Sequence, residues 1–314
     1  MKAKTIRKVL RAKVDEWLAT IDDEDLREQL KKKVIVTGGC IASMLLREPV
    51  NDFDVYLRDR DAAVKTALYY VRRFQPEKAR GIPVVILVDE SQPDRVGIVV
   101  KSAGVASEAG TDAPYEYFES RPEGEADRYV GEVMDDPGVI EDTNADLEAG
   151  AQATEDDGKP RYRPVFLSTN AITLSHRVQV VLRFYGEPDE IHANYDFAHC
   201  TNYWKSWDDE LVLRPDALEA LLTRELRYVG SKYPVCSIIR LRKFLARNWV
   251  INAGQILKMA MQVSELDLSD PRVLRDQLTG VDAAYFCELL AKVREKDPDK
   301  INAAYLVEII DRMF

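Results

Sequence analysis

A chain of 314 residues, 46% of them hydrophobic and 31% charged, is long enough to bury a real core as one large domain or two modest ones. No window approaches the roughly eighteen uninterrupted apolar residues of a membrane span, and Cys40, Cys200, Cys236 and Cys287 form no CxxC pair, so neither a membrane helix nor a disulfide framework is expected. The formal net charge of −10 is unevenly spread: Glu119 to Asp157 holds fourteen acidic and two basic residues, a net −12, so the remainder carries +2. A nearly neutral body is compatible with a phosphate-bearing substrate.

The N-terminal stretch MKAKTIRKVLRAKVDEW is charged and amphipathic and lacks the apolar core of a signal peptide, which predicts a cytoplasmic protein. Ile6, Val9, Leu10, Val14 and Leu18, then Leu26 and Leu30, recur at helical spacing and predict two helices leading into a strand at Val34 to Val36. Ala62 to Phe74 reads as a helix. Val84 to Val88 and Val96 to Val100 read as strands. From Glu119 to Pro160 the composition turns to Glu, Asp, Gly, Ala and Pro, which cannot bury enough apolar surface to offset chain entropy and predicts a long insertion. Strands are expected again at Val165 to Leu167, Ala171 to Leu174 and HRVQVVLRF. A short helix opened by Pro188 follows, then a strand in NYDFAHC. From Pro215 onward the pattern is helical: Asp216 to Val229, Pro234 to Trp249, Asn252 to Val263, Pro271 to Leu278, Asp282 to Val293 and Asn302 to Met313, with Asp282 and Asn302 as N-caps.

One stretch carries chemistry: VIVTGGCIASMLLREPVNDFDVYL, from Val34. Asp52 and Asp54 are two apart on an expected strand, so both carboxylates face one way while Phe53 points into the core. Two adjacent carboxylates repel, and a hard divalent cation such as Mg²⁺ or Mn²⁺ relieves that. Gly38 and Gly39 let the backbone bring the N-terminus of the following helix close to a ligand, where free N–H groups and the helix dipole favour phosphate.

The order Gly-Gly, twelve residues, DFDV resembles the signature of the polymerase-β-like nucleotidyltransferase superfamily. GGCIASMLLREPVNDFDV is most similar to the corresponding part of CCA-adding and poly(A) polymerases. It has Ala42 and Ser43 where those enzymes carry Arg-Asp, and the arginine-rich motif of the bacterial CCA-adding enzymes does not follow. STNAITLSHRVQVVLRFYGEPDEIHANYDFAHCTNYW, LRPDALEALLTRELRYVGSKYP and LTGVDAAYF look like a nucleotidyltransferase-fold family of bacteriophage genomes, which implies residence in the host cytoplasm. The resemblance implies an α+β fold: a nucleotidyltransferase-type mixed β-sheet with flanking helices, followed by an all-helical C-terminal region. It divides the chain into N-terminal helices (1–32), a catalytic domain (33–205) with an acidic insertion (119–160), and a helical domain (206–314).

The superfamily uses a third carboxylate on a later strand, and Asp196 in NYDFAHC is the best match; Asp189 and Glu190 fall in the expected short helix. Asp52, Asp54 and Asp196 are then the expected metal and catalytic residues, with Asp196 helping to activate the acceptor hydroxyl. Gly38, Gly39 and Ser43 are expected to hold the triphosphate. Arg240, Lys243 and Arg247 share a helical face and, with Lys205, are candidates for triphosphate or RNA contacts. His176, His192, His199 and Cys200 match no zinc spacing, and GxxxxGK[ST] and GxGxxG are absent from the sequence. The expected function is metal-dependent transfer of a nucleoside monophosphate from a nucleoside triphosphate, ATP among the candidates, to an RNA, protein or small-molecule acceptor. The competing expectation is an inactive nucleotidyltransferase fold that binds a protein partner through its acidic insertion.

Overall fold

The computed structural model describes residues 1–73, 84–91, 95–102, 161–167 and 170–268, together with 273 and 277. The acidic insertion, the expected helices at 282–293 and 302–313 with their caps, and Cys287 lie outside the described residues, as does all but two positions of the expected helix at 271–278.

Two helices open the chain, α1 (Ala3–Ala19) and α2 (Glu24–Leu30), the second capped by the Asp23 carboxylate accepting from Leu26 N–H at 3.0 Å. Strand β1 (Val34–Thr37) runs into α3 (Gly39–Leu46), β2 (Phe53–Leu57) and α4 (Arg60–Arg73). A separate hairpin pairs β3 (Val84–Asp89) with β4 (Gly97–Ser102). The main sheet resumes with β5 (Pro164–Leu167), β6 (Ala171–Leu174) and β7 (Val178–Tyr185), then the short helix α5 (Pro188–His192). Strands β8 (Tyr203–Lys205) and β9 (Leu211–Val212) precede the helices α6 (Pro215–Thr223), α7 (Pro234–Ala246) and α8 (Ala253–Ser264).

Among the described residues the main sheet has seven strands in the order β5-β6-β7-β2-β1-β8-β9. Only β2 and β7 pair in parallel; every other neighbour is antiparallel. The fold is therefore α+β, a mixed sheet with flanking helices followed by a helical region, as expected. Among the described residues no helix is long and apolar enough to cross a membrane.

Side-chain alternation gives the sheet two different faces. Val34, Val36, Phe53, Val55, Leu57, Val178, Val180, Leu182 and Trp204 face one core with Ile6, Leu10, Val14 and Trp17 of α1 and with Tyr70 of α4. The N-terminal helices thus share the main sheet's core. The opposite face carries Ile35, Tyr56 and Ile191 with Tyr195, Tyr203 and Trp207 packed on them, and Asp54 lies on this face, two residues before Tyr56. A second core gathers Phe197, Leu221, Leu226, Tyr228, Trp249 and Met259 of the C-terminal region around Ala42 of α3. Helix α3 is wedged between both cores: Cys40, Ile41 and Met44 serve the first and Ala42 the second.

Several expectations need correction. NYDFAHC is not a strand: Phe197 makes one isolated bridge to Tyr228, and Ala198–Cys200 is a 3₁₀ turn. Its backbone is bonded from far along the chain, Val229 N–H donating to the Asp196 carbonyl and Ala198 N–H to that of Arg227. The strand expected from His176 begins only at Val178, because His176 and Arg177 take left-handed turn conformations at φ 66° and 63°. Asp52 precedes β2, which starts at Phe53. The helix expected to reach Val229 stops at Thr223, where Arg224 is left-handed at φ 51°. Strands β8 and β9, within residues the sequence left unassigned, extend the sheet beyond β1.

Candidate active site

The Gly-Gly stretch is built as its sequence demands. Gly38 adopts φ 93°, ψ −153°, a region essentially closed to residues with a Cβ. A Cβ placed there would lie 2.7 Å from Asp54 Oδ2. The backbone at the mouth of α3 thus abuts the second aspartate, and only glycine permits that approach. Gly39, the first residue of α3, faces open space: a Cβ on it would meet no atom within 4 Å. Ser43 lies one turn further along α3, half-buried, its carbonyl accepting from Glu48 N–H at 2.9 Å.

Asp54 is placed by cross-strand pairing: Thr37 of β1 lies opposite on one side and Gln179 of β7 on the other. Phe53 is buried in the main core, as alternation requires. Asp52 is exposed and Asp54 half-buried. Burial first, and then the Asp52 charge, raise the Asp54 carboxyl well above its usual range, while the Arg240 guanidinium pulls it down. The same two carboxylates, after burial, push the Cys40 thiol up. These groups act on one another, as carboxylates crowded at one spot must.

The wall around Asp54 is aromatic and polar. Tyr56 and Tyr195 stand 6.0 Å apart by ring centroid, and burial raises both phenols, the Asp54 charge adding to it. Thr37 Oγ1 lies 2.8 Å from His192 Nε2 and 2.8 Å from the Asn202 carbonyl. A carbonyl only accepts, so the Thr37 proton goes to the Asn202 carbonyl, or to that of Cys200 at 3.3 Å, and His192 donates from Nε2; burial keeps the ring neutral at pH 7. Gly38 N–H donates to the Cys200 carbonyl at 3.1 Å, tying the 3₁₀ turn to the mouth of α3. Burial, then Asp196 and Asp54, push the Cys200 thiol up to about 12, so it is not a nucleophile at neutral pH.

Asp196, the expected third carboxylate, is 6% exposed. Oδ1 accepts from Ser237 Oγ at 2.9 Å and Oδ2 from Arg240 Nη1 at 2.5 Å, both from α7. Among the described residues no group of three or more His, Cys, Asp and Glu is arranged to hold a metal ion, and both Asp196 oxygens are bonded to α7. Arg240, bonded to Asp196 and with its charge acting on Asp54, comes from α7, and Lys243 follows it, exposed. Lys205 is drawn away: its ammonium is paired with Asp208 at 2.9 Å and Glu210 at 2.6 Å, the contacts that lift it to about 12. Sequence reasoning overlooked Tyr56, Thr37, His192 and Tyr195 as site walls. Tyr56 and Thr37 were legible from the period of two along their strands; His192 and Tyr195 arrive by tertiary packing.

The buried imidazoles make stability depend on pH. Burial, reinforced by the Arg214 charge, pushes His192 down to about 4; burial alone pushes His199, packed between Phe244 and Trp249, down to about 4, with Asp196 acting the other way. Between about 6.5, the unfolded value, and about 4 the unfolded chain therefore binds more protons, and stability falls as pH falls through that window. Replacing His199 by Phe should shrink the difference in urea midpoint between pH 7 and pH 5. An unchanged difference would show that His199 is not held neutral.

Three solved structures resemble this chain at low identity. The Thermotoga maritima CCA-adding enzyme complexed with tRNA is 12% identical over 80% of this chain and 45% of its own, with a TM-score of 0.37. A tRNA-processing enzyme with CTP is 13% identical over 92% of this chain and 57% of its own, with a TM-score of 0.37. A tRNA-processing enzyme in an apo form is 13% identical over 94% and 57%, with a TM-score of 0.39. The chain spans about half the length of these proteins. No curated protein matches it. The model of the Gabija anti-defense 2 family, Gad2, matches residues 8–224, from within α1 to the cap of α6, and so covers the main sheet, Gly38, Asp52, Asp54 and Asp196 but not α7. The chain belongs to the Gabija anti-defense 2 family.

Proposed function

We propose that the chain transfers a nucleoside monophosphate from a nucleoside triphosphate to an acceptor, releasing pyrophosphate, and that this modification is how it counters the Gabija defence named in its family's description. The observation that carries the reading is the contact between the mouth of α3 and Asp54: a helix N-terminus suited to phosphate abuts the second carboxylate of the pair, through a glycine whose backbone conformation and close approach both exclude a Cβ. The donor set fits a hard divalent cation: two carboxylates, Asp52 and Asp54, offer hard oxygen ligands two residues apart beside the mouth of α3. Mg²⁺ or Mn²⁺ bound there would supply neutralisation of phosphate charge.

The chain's own residues do the rest. The first N–H groups of α3, from Gly39 with Ser43 one turn on, donate to the triphosphate; Arg240 and Lys243 oppose its charge from α7. Tyr56, Tyr195 and His192 wall the site against bulk water, so charge interactions inside it are stronger. In the reaction an acceptor oxygen bonds to the α-phosphorus, the bond from that phosphorus to the bridging oxygen breaks, the acceptor proton is lost and pyrophosphate departs. Positioning and charge neutralisation are the catalytic contributions. On this reading the acceptor, whether RNA, protein or small molecule, is one whose modification disables Gabija.

The test is incubation of the full chain with each α-³²P-labelled nucleoside triphosphate, Mg²⁺ or Mn²⁺, and lysate of cells carrying Gabija. Label transferred to a discrete acceptor supports the reading and identifies nucleotide and acceptor together. Protection against Gabija without any transfer would replace it with a binding mechanism.

A further inference from the structure

The Asp196 turn is fixed on two sides. Its backbone carbonyl accepts from Val229 N–H at 3.0 Å, and four residues on, the Cys200 carbonyl accepts from Gly38, the glycine that abuts Asp54. The side chain faces the other way along the chain's path, to α7, where Ser237 and Arg240 occupy one oxygen each. Ser237 and Arg240 are three apart on one helical face, so a single carboxylate clamps the helix and orients the guanidinium together. A buried carboxylate with a hydroxyl and a guanidinium already bonded is a poor ligand for a divalent ion, because ligation would break the pair and leave a guanidinium uncompensated. The Arg240 side chain nevertheless keeps 36% of its surface accessible, and a planar guanidinium can hold a carboxylate with one edge while its charge serves a phosphate.

We propose that Asp196 is a positioning residue that holds Arg240 beside the Asp52–Asp54 pair to meet the phosphates of the nucleotide, and that it is not a third metal ligand. The proposal rests on the nucleotidyl-transfer reading above for its substrate class. Removing either member of the pair should cost the same interaction, since Arg240 without Asp196 is misdirected and Asp196 acts on the nucleotide through Arg240.

The experiment measures binding separately from turnover, on the full-length protein. Mn²⁺ affinity is read by electron paramagnetic resonance, and affinity for the α,β-methylene analogues of the four ribonucleoside triphosphates by equilibrium dialysis, for wild type, Asp54→Asn, Asp196→Asn, Arg240→Gln, Arg240→Lys and the Asp196→Asn/Arg240→Gln double variant. Melting curves establish that each is folded. The expected result is that Asp196→Asn and Arg240→Gln each weaken the analogue about tenfold, as loss of one charge-assisted contact does. The double variant should be no worse than either single one. Arg240→Lys should restore little. Mn²⁺ affinity should stay at the wild-type value in all of these and fall only in Asp54→Asn. Should Asp196→Asn not fold, Ser237→Ala keeps the carboxylate while loosening the clamp and should weaken the analogue in the same direction. Loss of Mn²⁺ binding in Asp196→Asn, multiplicative losses in the double variant, or undiminished analogue binding in Arg240→Gln would each overturn the proposal. If wild type binds the analogue and the variants behave as expected but no label is ever transferred, the positioning role stands and the transferase reading fails.

Discussion

Asp54→Asn is expected to abolish label transfer, by about a thousandfold or more, while leaving the protein as stable as wild type at pH 7 or more so. The loss follows from removing one of two carboxylates on which the proposed ion depends, an interaction realised fully only as charge moves in the reaction. The stability follows from the same crowding. Burial and Asp52 hold the Asp54 carboxyl well above its usual range, so its ionised form opposes folding. A carboxyl whose pKa rises on folding stabilises the fold only where it is protonated, and that contribution is lost as pH rises from the unfolded value through the folded one. At pH 7 a neutral amide of the same shape removes that opposition. Site residues that lower stability for function are a general pattern. Transfer assays and melting curves on one preparation check both halves. Retained transfer would remove Asp54 from the site, and a clear fall in melting temperature would mean that the carboxylate serves the fold.

The second large effect is expected at Gly38. Alanine there must adopt φ 93°, ψ −153° and place its methyl carbon 2.7 Å from Asp54 Oδ2. The backbone term alone costs on the order of 1–3 kcal/mol, and the clash forces Asp54 or the mouth of α3 to move. A fall in melting temperature with loss of transfer is expected. Gly39→Ala supplies the contrast in stability, because its new methyl meets no atom within 4 Å and its φ is not left-handed; it should melt near wild type. Equal behaviour of the two variants would show that the Gly38 contact does not shape the site.

The Gad2 family description names action against a defence. A modifying enzyme suits that task in a way a stoichiometric binder does not, since one copy can act on many targets. The labelling experiment decides between them.

What local sequence determined is the part of the site made by neighbours in the chain. The strand before Gly38, the glycines, helix α3 and the alternation that buries Phe53 and turns Asp54 outward are all set by residue-to-residue periodicity and by the conformations that glycine alone allows. The same holds for β6, found at the expected Ala171 to Leu174, and for α5 with Pro188 at its first turn. Tertiary structure decided the rest. NYDFAHC has the apolar alternation of a strand, yet its backbone is satisfied by residues 227–229 and its carboxylate by α7, 41 and 44 positions away. Contacts at that separation leave no local period, so the segment's pattern could not reveal that it is a turn or that Asp196 is already bonded. Lys205 shows the reverse: a basic residue near the site in sequence is claimed by Asp208 and Glu210 once β8 and β9 pair. Periodicity specifies which face a side chain leaves from, and only packing specifies what it meets there.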